Sequence, residues 1–454
     1  MILVQNLAVL VFLVTIILIA TEWIDRVYAS LLAAGSMLLI GAIMPEEVLQ
    51  LIDIEILGVI AGMMLLVNGA ERSGVFNWIA VRILKASKSP KMFAFNLLLF
   101  TTVLSMILNN IGAMLISASI TITMTRALKM KPEMLLIFQA IVVNLGGMMM
   151  LMSSIPNIII AIEGGISFLE FTYNIAPLGI ILFIATILIF FRFYLDDTVG
   201  EFKNDFRSVD QGEWVDDLVA SGEEPDVIME LRAAEFSGWI DLAIKEFGVI
   251  KWGRKHSITA LIMTGTIMGF MLYDLIGLTP AIVAMIGGCV MMGFSGEAPS
   301  EVFKEIDWST VIFLSGLFVM INGMVKVGLI EILSVGILNM AGQWPDRLHI
   351  AVMWLSGLPS GLVDNIPLTA TFAPILSSWV SGGVSPDVWW GLVVGANLGG
   401  NLTPIGSPSN IIVLGVSERE GHPISLGRFF KICFGVTMAH LFVSMLYLYV
   451  MYSI

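Results

Sequence analysis

One pattern is written twice in this chain, and the repetition limits what it can fold into. Ile52-Asp53 opens a run that ends in Val67-Asn68-Gly69, with Gly74 beyond. Ile306-Asp307 opens a run that ends in Ile321-Asn322-Gly323, with Gly328 beyond, at a constant offset of 254 residues. Pro45 and Val48 meet Pro299 and Val302 at the same offset. Further on, Leu108-Asn109-Asn110-Ile111 corresponds to Val363-Asp364-Asn365-Ile366, and Asn144-Leu145-Gly146-Gly147 to Asn397-Leu398-Gly399-Gly400. Asn157-Ile158-Ile159 corresponds to Asn410-Ile411-Ile412. Register kept over polar as well as apolar positions marks a duplication. It divides the chain into a first half, 1–195, and a second, 256–454, joined by residues 196–255.

Each half is too apolar for water. Charged residues make up 13% of the chain and hydrophobic ones 57%, whereas a soluble domain carries roughly 25% charged residues. Successive apolar runs are long enough to cross a hydrocarbon core about 30 Å thick. No basic residue precedes the first run, 5–21, and no small-residue cleavage site follows it, so it reads as a retained helix. The net charge of −13 is concentrated, because residues 196–250 hold 15 acidic and 4 basic side chains. That describes one solvated loop, with no nucleic acid and no basic partner implied. Cys289 and Cys433 have no metal-ligand spacing and read as buried free thiols. His256, His349, His422 and His440 share no such spacing either.

The two halves read alike. Three spanning helices are predicted in each, at 5–22, 27–44 and 54–70, then at 256–275, 279–296 and 309–325. Amphipathic interfacial segments follow at 75–90 and 328–342, and then long segments broken near their centres, 93–127 and 348–380. A Gly-interrupted stretch (134–162 and 387–415) and a final helix (173–194 and 428–452) complete each half. Arg72, Arg82, Lys85, Lys88 and Lys91 precede the first broken segment, and Arg126, Lys129 and Lys131 follow it. Both flanks are therefore expected on the cytoplasmic side, which makes the segment a re-entrant hairpin. Five crossings per half then invert the second half. The expected fold is an all-α membrane protein of two inverted repeats of five transmembrane helices, each with a re-entrant hairpin and an unwound helix. It is placed in the plasma (inner) membrane, with the N-terminus outside and the 196–255 linker cytoplasmic.

Interrupted helices in inverted repeats are a transporter design, and backbone leaves helical geometry at membrane depth only where protein or a water-filled cavity satisfies it. Two candidate subsites follow. One contains Asp364, Asn365, Asn397, Gly399, Thr403, Ser407, Ser409 and Asn410, and the other Asn109, Asn110, Asn144, Gly146, Ser154 and Asn157. Gly and Pro open the hydrogen-bond ladder, while Asn, Ser and Thr supply the hard oxygens that suit Na⁺. Half-helix N-termini in the same places suit an anion. Asp364 is the single carboxylate expected near the bilayer centre, where a bare charge marks an ion or proton pathway. A proton and a cation would exclude each other on it, so Asp364 is the candidate for proton coupling. Asp364, Asn365 and Asn410 are the candidate ligands of Na⁺. The alternative for Asp364 is a purely structural bond to the hairpin amides.

Leu108-Asn109-Asn110, Asn144-Leu145-Gly146-Gly147 with Pro156-Asn157-Ile158-Ile159-Ile160, Val363-Asp364-Asn365-Ile366-Pro367 and Gly395-Ala396-Asn397-Leu398-Gly399-Gly400-Asn401 through Ser409-Asn410 carry a family resemblance. In these motifs the chain resembles the ion transporter superfamily, closest to its arsenite-permease, NhaD-type antiporter and melanosomal P-protein branch, with a citrate-transporter-like fold. The resemblance implies a homodimer with a scaffold and a mobile transport region that moves in an elevator-like way. Relatives often have Asp-Asn where this chain has Asn109-Asn110, and Gly-Asp-Pro-Pro-Asn where it has Ser153-Ser154-Ile155-Pro156-Asn157. The first subsite thus lacks the carboxylates of its relatives.

The function expected is secondary active ion transport, of the Na⁺/H⁺ antiporter type. Efflux of arsenite or another small anion and Na⁺-coupled carboxylate transport are the alternatives, and an ion channel is the alternative of another class. No Ser–His constellation, second central Asp or paired zinc ligands point to an enzyme. No cofactor is expected beyond Na⁺ or H⁺ as the coupling ion, and the partners expected are a small ion or molecule and the lipid bilayer.

Overall fold

The computed structural model describes residues 2–21, 23–128, 130–198, 238, 240–241, 252–295, 298–304, 306–341 and 347–452, with no strand among them. Most of the acidic linker expected over 196–255 lies outside the described residues. Ten helices precede it: α1 (Ile2–Thr21), α2 (Arg26–Leu39), α3 (Val48–Leu51), α4 (Ile54–Arg72), α5 (Val75–Lys85), α6 (Pro90–Ile107), α7 (Asn110–Ala127), α8 (Glu133–Met149), α9 (Ile155–Gly164) and α10 (Phe168–Phe193). From residue 254 onward the described residues form ten more in the same order: α11 (Arg254–Ile276), α12 (Pro280–Ser295), α13 (Pro299–Phe303), α14 (Trp308–Lys326), α15 (Leu329–Ala341), α16 (Leu348–Ser360), α17 (Asn365–Ser381), α18 (Val388–Gly399), α19 (Pro408–Arg419) and α20 (Leu426–Tyr452).

Local chemistry sets the boundaries. Asp53 Oδ1 accepts from the Ile56 amide at 2.9 Å and Asp307 Oδ1 from the Thr310 amide at 3.1 Å, so the repeated Asp caps α4 and α14 alike. The span expected over 27–44 is shorter than its hydropathy suggested. α2 has 14 residues, about 21 Å at 1.5 Å per residue. Gly41 ends it at φ 74°, with the Ala42 amide reaching back to the Met37 carbonyl at 3.0 Å, a helix-terminating turn that favours glycine. Among the described residues six helices are apolar and long enough to cross a membrane, including α4, α10, α14 and α20. Cys433 is buried and free as expected; Cys289 is also free, but it lies on an exposed face of α12.

Contacts between the two series are reciprocal. α4 packs on α12, and α14 on α2; α9 packs on α17, and α19 on α7. Gly58 faces Ala281, Gly62 faces Ala284 and Gly69 faces Met291, so α4 and α12 run in the same direction. Ser30 against Gly316 and Met37 against Gly323 give the same result for α2 and α14. The end of α4 (Asn68, Glu71) shares a cavity with the start of α14 (Asp307, Thr310), so those two equivalent helices run in opposite directions. Thr186 of α10 and His440 of α20 touch at 2.9 Å.

A side chain added at Gly62 would run into the Ala284 backbone, whereas nothing lies within 4 Å of one added at Gly265. Gly62→Val should lower stability by about 1–3 kcal/mol through overpacking, and Gly265→Val should change it little. Thermal unfolding of the detergent-solubilised protein checks both; equal effects would contradict the α4–α12 contact.

Candidate functional site

Both interrupted helices break where the repeated motifs sit. α8 stops at Met149 and α9 resumes at Ile155-Pro156; α18 stops at Gly399 and α19 resumes at Pro408. Each proline occupies the first turn of its half-helix, where an amide hydrogen has no helical partner anyway. The carbonyls released before each break are gathered by one amide side chain. Asn157 Nδ2 donates to Gly147 O at 2.8 Å and Met150 O at 3.0 Å. Asn410 Nδ2 donates to Gly400 O and to Thr403 O, both at 2.9 Å. The acceptors lie ten and seven residues back in both cases. The two asparagines are buckles across the breaks.

The hairpins meet these breaks at their tips. Gln139 on α8 joins Thr101 of α6 (2.9 Å) to Thr121 of α7 (2.7 Å). Further along α8, Asn110 Nδ2 donates to Asn144 Oδ1 at 2.8 Å and Ser105 Oγ to Val143 O at 2.6 Å. α6 therefore advances with α8 while α7 returns, with Leu108-Asn109 at the bend. Asn109 caps α7 through the Gly112 amide (2.7 Å), and its counterpart Asp364 caps α17 through the Ile366 amide (3.0 Å). Ser360 Oγ repeats the Ser105 contact, donating to Ala396 O at 2.7 Å. Close approach at the tips depends on two site glycines. A Cβ at Gly146 would collide with Thr102 O, and one at Gly399 with Gly357 O.

Across the halves the amides interlock. Ser154 Oγ donates to Asn397 Oδ1 at 3.1 Å, and its counterpart Ser407 Oγ donates to Asn144 Oδ1 at 3.2 Å. Ser409 Oγ lies 2.9 Å from Ser407 Oγ. The symmetry then fails at one place. Asn397 Nδ2 donates to Asn157 Oδ1 at 2.7 Å, but Asn144 Nδ2 donates to Asn401 Oδ1 at 2.6 Å instead of reaching Asn410. The counterpart of Asn401 is Met148, so only the second half offers that diversion. Asn410 Oδ1 is left buried without a hydrogen-bond partner among the described residues. Thr403 turns away from the network and bonds Gly361 O.

Two cavities open at the tips. One of about 400 Å³ is lined by Asp25, Arg26, Asp364, Ile405 and Pro408, and one of about 280 Å³ by Asn68, Asn109, Ser153, Asp307 and Thr310. Asp364 and Asn109 thus face separate spaces, while the asparagines and serines of both expected subsites form one connected network. Asn365 is buried at the start of α17. Asp364 does not stand alone. Arg26 Nη1 lies 3.5 Å from Asp364 Oδ2, their side chains being 28% and 18% exposed.

Sequence reading missed three groups here. Asn401 stands opposite Met148, so a search for repeated polar positions passes over it. Thr310 replaces Ile56 in the same way. Arg26 follows a spanning helix and looks like an ordinary flanking charge, although the α1–α2 turn carries it into the site. His440 bonds Thr186 on α10, away from both breaks.

A model of the citrate transporter family matches residues 16–390 and 275–454 of the chain. An uncharacterised transporter of Mycobacterium tuberculosis is 27% identical over 458 residues, covering 98% of both chains. A 46 kDa membrane protein of Mycobacterium leprae is 27% identical over 459 residues, covering 99% of both. The P protein of Homo sapiens is 26% identical over 488 residues, which span 95% of this chain and 58% of that one. Among solved structures, the YdaH transporter of Alcanivorax borkumensis aligns over 89% of this chain and 87% of that chain, with 14% identity and a TM-score of 0.49.

Replacing Asn397 by Leu would strip two buried acceptors and donors of their partner at once, Ser154 and Asn157. Interhelical hydrogen bonds in membranes contribute about 1–2 kcal/mol each in model peptides, so Asn397→Leu should cost about 2–4 kcal/mol. Asn401→Leu should cost somewhat less, about 1–3 kcal/mol, because one of its two interhelical bonds, Asn401 Nδ2 to Ile141 O, is long at 3.3 Å. Unfolding midpoints measured in one detergent give the ranking; a reversed order would contradict the network.

Proposed function

This chain is a membrane transporter of the citrate transporter family, and we propose that it is a secondary active transporter that exchanges a small cation, Na⁺ in the first instance, for a proton at Asp364. The observation that carries this reading is the inequality of the two equivalent places. At the first tip stands Asn109, and the oxygen of the first buckle, Asn157, is taken by Asn397. At the second tip stands Asp364, and the oxygen of the second buckle, Asn410, has no partner among the described residues. A carboxylate facing a cavity and, two residues beyond Pro408 of its wall, a buried amide oxygen with no partner among the described residues are the hard oxygens that support a reading of Na⁺ as the cation.

Charge supports a cation over an anion. The 400 Å³ cavity holds the carboxylates of Asp25 and Asp364 against the guanidinium of Arg26, so one negative charge is in excess. A carboxylate away from bulk water is stabilised by a proton or by a cation, and each removes the need for the other. Mutual exclusion on one group is the minimum machinery for exchange.

Alternating access needs two conformations of comparable energy, and inverted repeats supply them. The reciprocal contacts and the opposed directions of α4 and α14 support an inverted two-fold relation between the halves. α6–α7 and α16–α17, with the broken helices, would then form the moving part. A second reading is favoured by the family's own description and by Arg26. A small carboxylate would be the cargo, with the cation as its coupling ion.

The test is flux into proteoliposomes of purified protein, with Na⁺, citrate or arsenite, each with and without an imposed pH gradient. Na⁺ flux driven by the pH gradient is expected, and Asp364→Asn should reduce it by about tenfold or more. Full pH-dependent Na⁺ flux in Asp364→Asn would overturn the proposal. Citrate uptake that needs both Na⁺ and Asp364 would establish the second reading instead.

A further inference from the structure

Arg26 lines one cavity and bonds a residue on the wall of the other. Its Nη1 lies 3.5 Å from Asp364 Oδ2 in one, and its Nη2 donates to Thr310 Oγ1 at 3.3 Å on the wall of the other. Thr310 Oγ1 in turn donates to Asp307 Oδ2 at 2.5 Å. The guanidinium also lies 5.5 Å from the centre of the Phe313 ring, a face that attracts a cation.

The duplication supplies an internal comparison. The counterpart of Asp364 is Asn109, that of Arg26 is Pro280, and that of Thr310 is Ile56. All three polar members are present in one place and all three are replaced in the other. Asp307, whose counterpart Asp53 is retained, has the same capping task in both halves. The acid, the base and the second acceptor thus occur as a set.

We propose that Arg26 is a built-in competitor for the transported cation: its guanidinium holds Asp364 while the site carries no cation, and passes to Thr310 and Asp307 when a cation arrives. This rests on the reading of Asp364 as the exchanging group. Arginine does not lose its proton in a protein, so an arriving cation meets a full positive charge beside the carboxylate, and one of the two must leave. At 3.5 Å the ionic contact is longer than the roughly 2.7–2.9 Å of a close charge-assisted hydrogen bond, and Arg26 already bonds its second partner. The transfer therefore needs a rotation of the side chain and no movement of α2. The other charged group on the cavity wall, Asp25, is engaged at the amide of Val27, 2.8 Å away. Arg26 would return to Asp364 as the cation departs and hold the carboxylate until a proton displaces it, and Asp364 then makes the return crossing in its protonated form.

A static bridge makes a different forecast, and cation-dependent stability separates the two. Thermal unfolding of the purified full chain is followed while Na⁺ replaces N-methylglucamine at constant ionic strength, for the wild type, Arg26→Gln, Arg26→Lys, Asp364→Asn and the double variant Arg26→Gln/Asp364→Asn. Removing a competing charge from a carboxylate should lower the half-saturating Na⁺ concentration by about tenfold in Arg26→Gln. Arg26→Lys should restore a value near the wild type, and both variants lacking Asp364 should lose the Na⁺ response. A half-saturation point unchanged in Arg26→Gln, with stability lowered equally in both salts, would overturn the proposal and leave a structural bridge. Flux measured in parallel keeps the two readings apart. Wild-type pH-driven Na⁺ flux with no shift in Arg26→Gln overturns the competitor role alone. A tenfold shift without any such flux overturns the exchange function alone, and absence of both overturns both.

Discussion

A helix that stops inside a membrane releases carbonyl groups that hydrocarbon cannot bond. The rest of this structure depends on how those groups are satisfied. Asn157 and Asn410 each span their break and hold carbonyls ten and seven residues behind them. With the carbonyls held, the helix can remain open, and open backbone gives Ser154 and Ser407 room to reach the other half. The serines then lock α8 to the second break and α18 to the first. Polar bonding that would be dispersed in a soluble protein is concentrated here in one buried network.

The proposed function rests on the place where that network departs from its own symmetry. Duplication yields two equivalent sets of residues, and equal sets would bind equally. Asn401 in the second copy, where the first has Met148, draws Asn144 away and leaves the Asn410 oxygen without a partner among the described residues. Around the second hairpin tip Asp364 and Thr310 of the second half meet Arg26 of the first, where the equivalent place has Asn109, Ile56 and Pro280. At one of the two equivalent places an asparagine stands at the tip, and at the other Asp364 stands there paired with Arg26 beside a cavity. The similarity to transporters of the citrate transporter family is a similarity of this whole framework, since the family model spans both halves.

The order of elements was legible because hydrophobic runs, paired asparagines and prolines act locally. The breaks at 150–154 and 400–407 fell where Gly-Gly and Pro interrupt the apolar runs, and the capping Asp53 and Asp307 announced α4 and α14. The short α2 was not legible, since the apolar stretch continues past Gly41 while the helix does not. Arg26 was missed for a different reason. Its partners Asp364 and Thr310 lie 338 and 284 residues away in sequence, and no local pattern reports a contact made through tertiary folding. Assignment of Asn157 and Asn410 to symmetric subsites was half legible. Repetition singled out both, but only hydrogen-bond geometry shows that one oxygen is occupied while the other has no partner among the described residues.

The central claim is that the two broken helices close on each other through side-chain amides at one depth in the bilayer. A cryo-EM map of the protein in lipid nanodiscs, sharp enough to place side chains, tests it most directly. Density should join Ser154 to Asn397 and Ser407 to Asn144, with both breaks near the middle of the lipid density. Breaks found at opposite lipid surfaces, or separated by a layer of lipid or unbroken helix, would contradict the account.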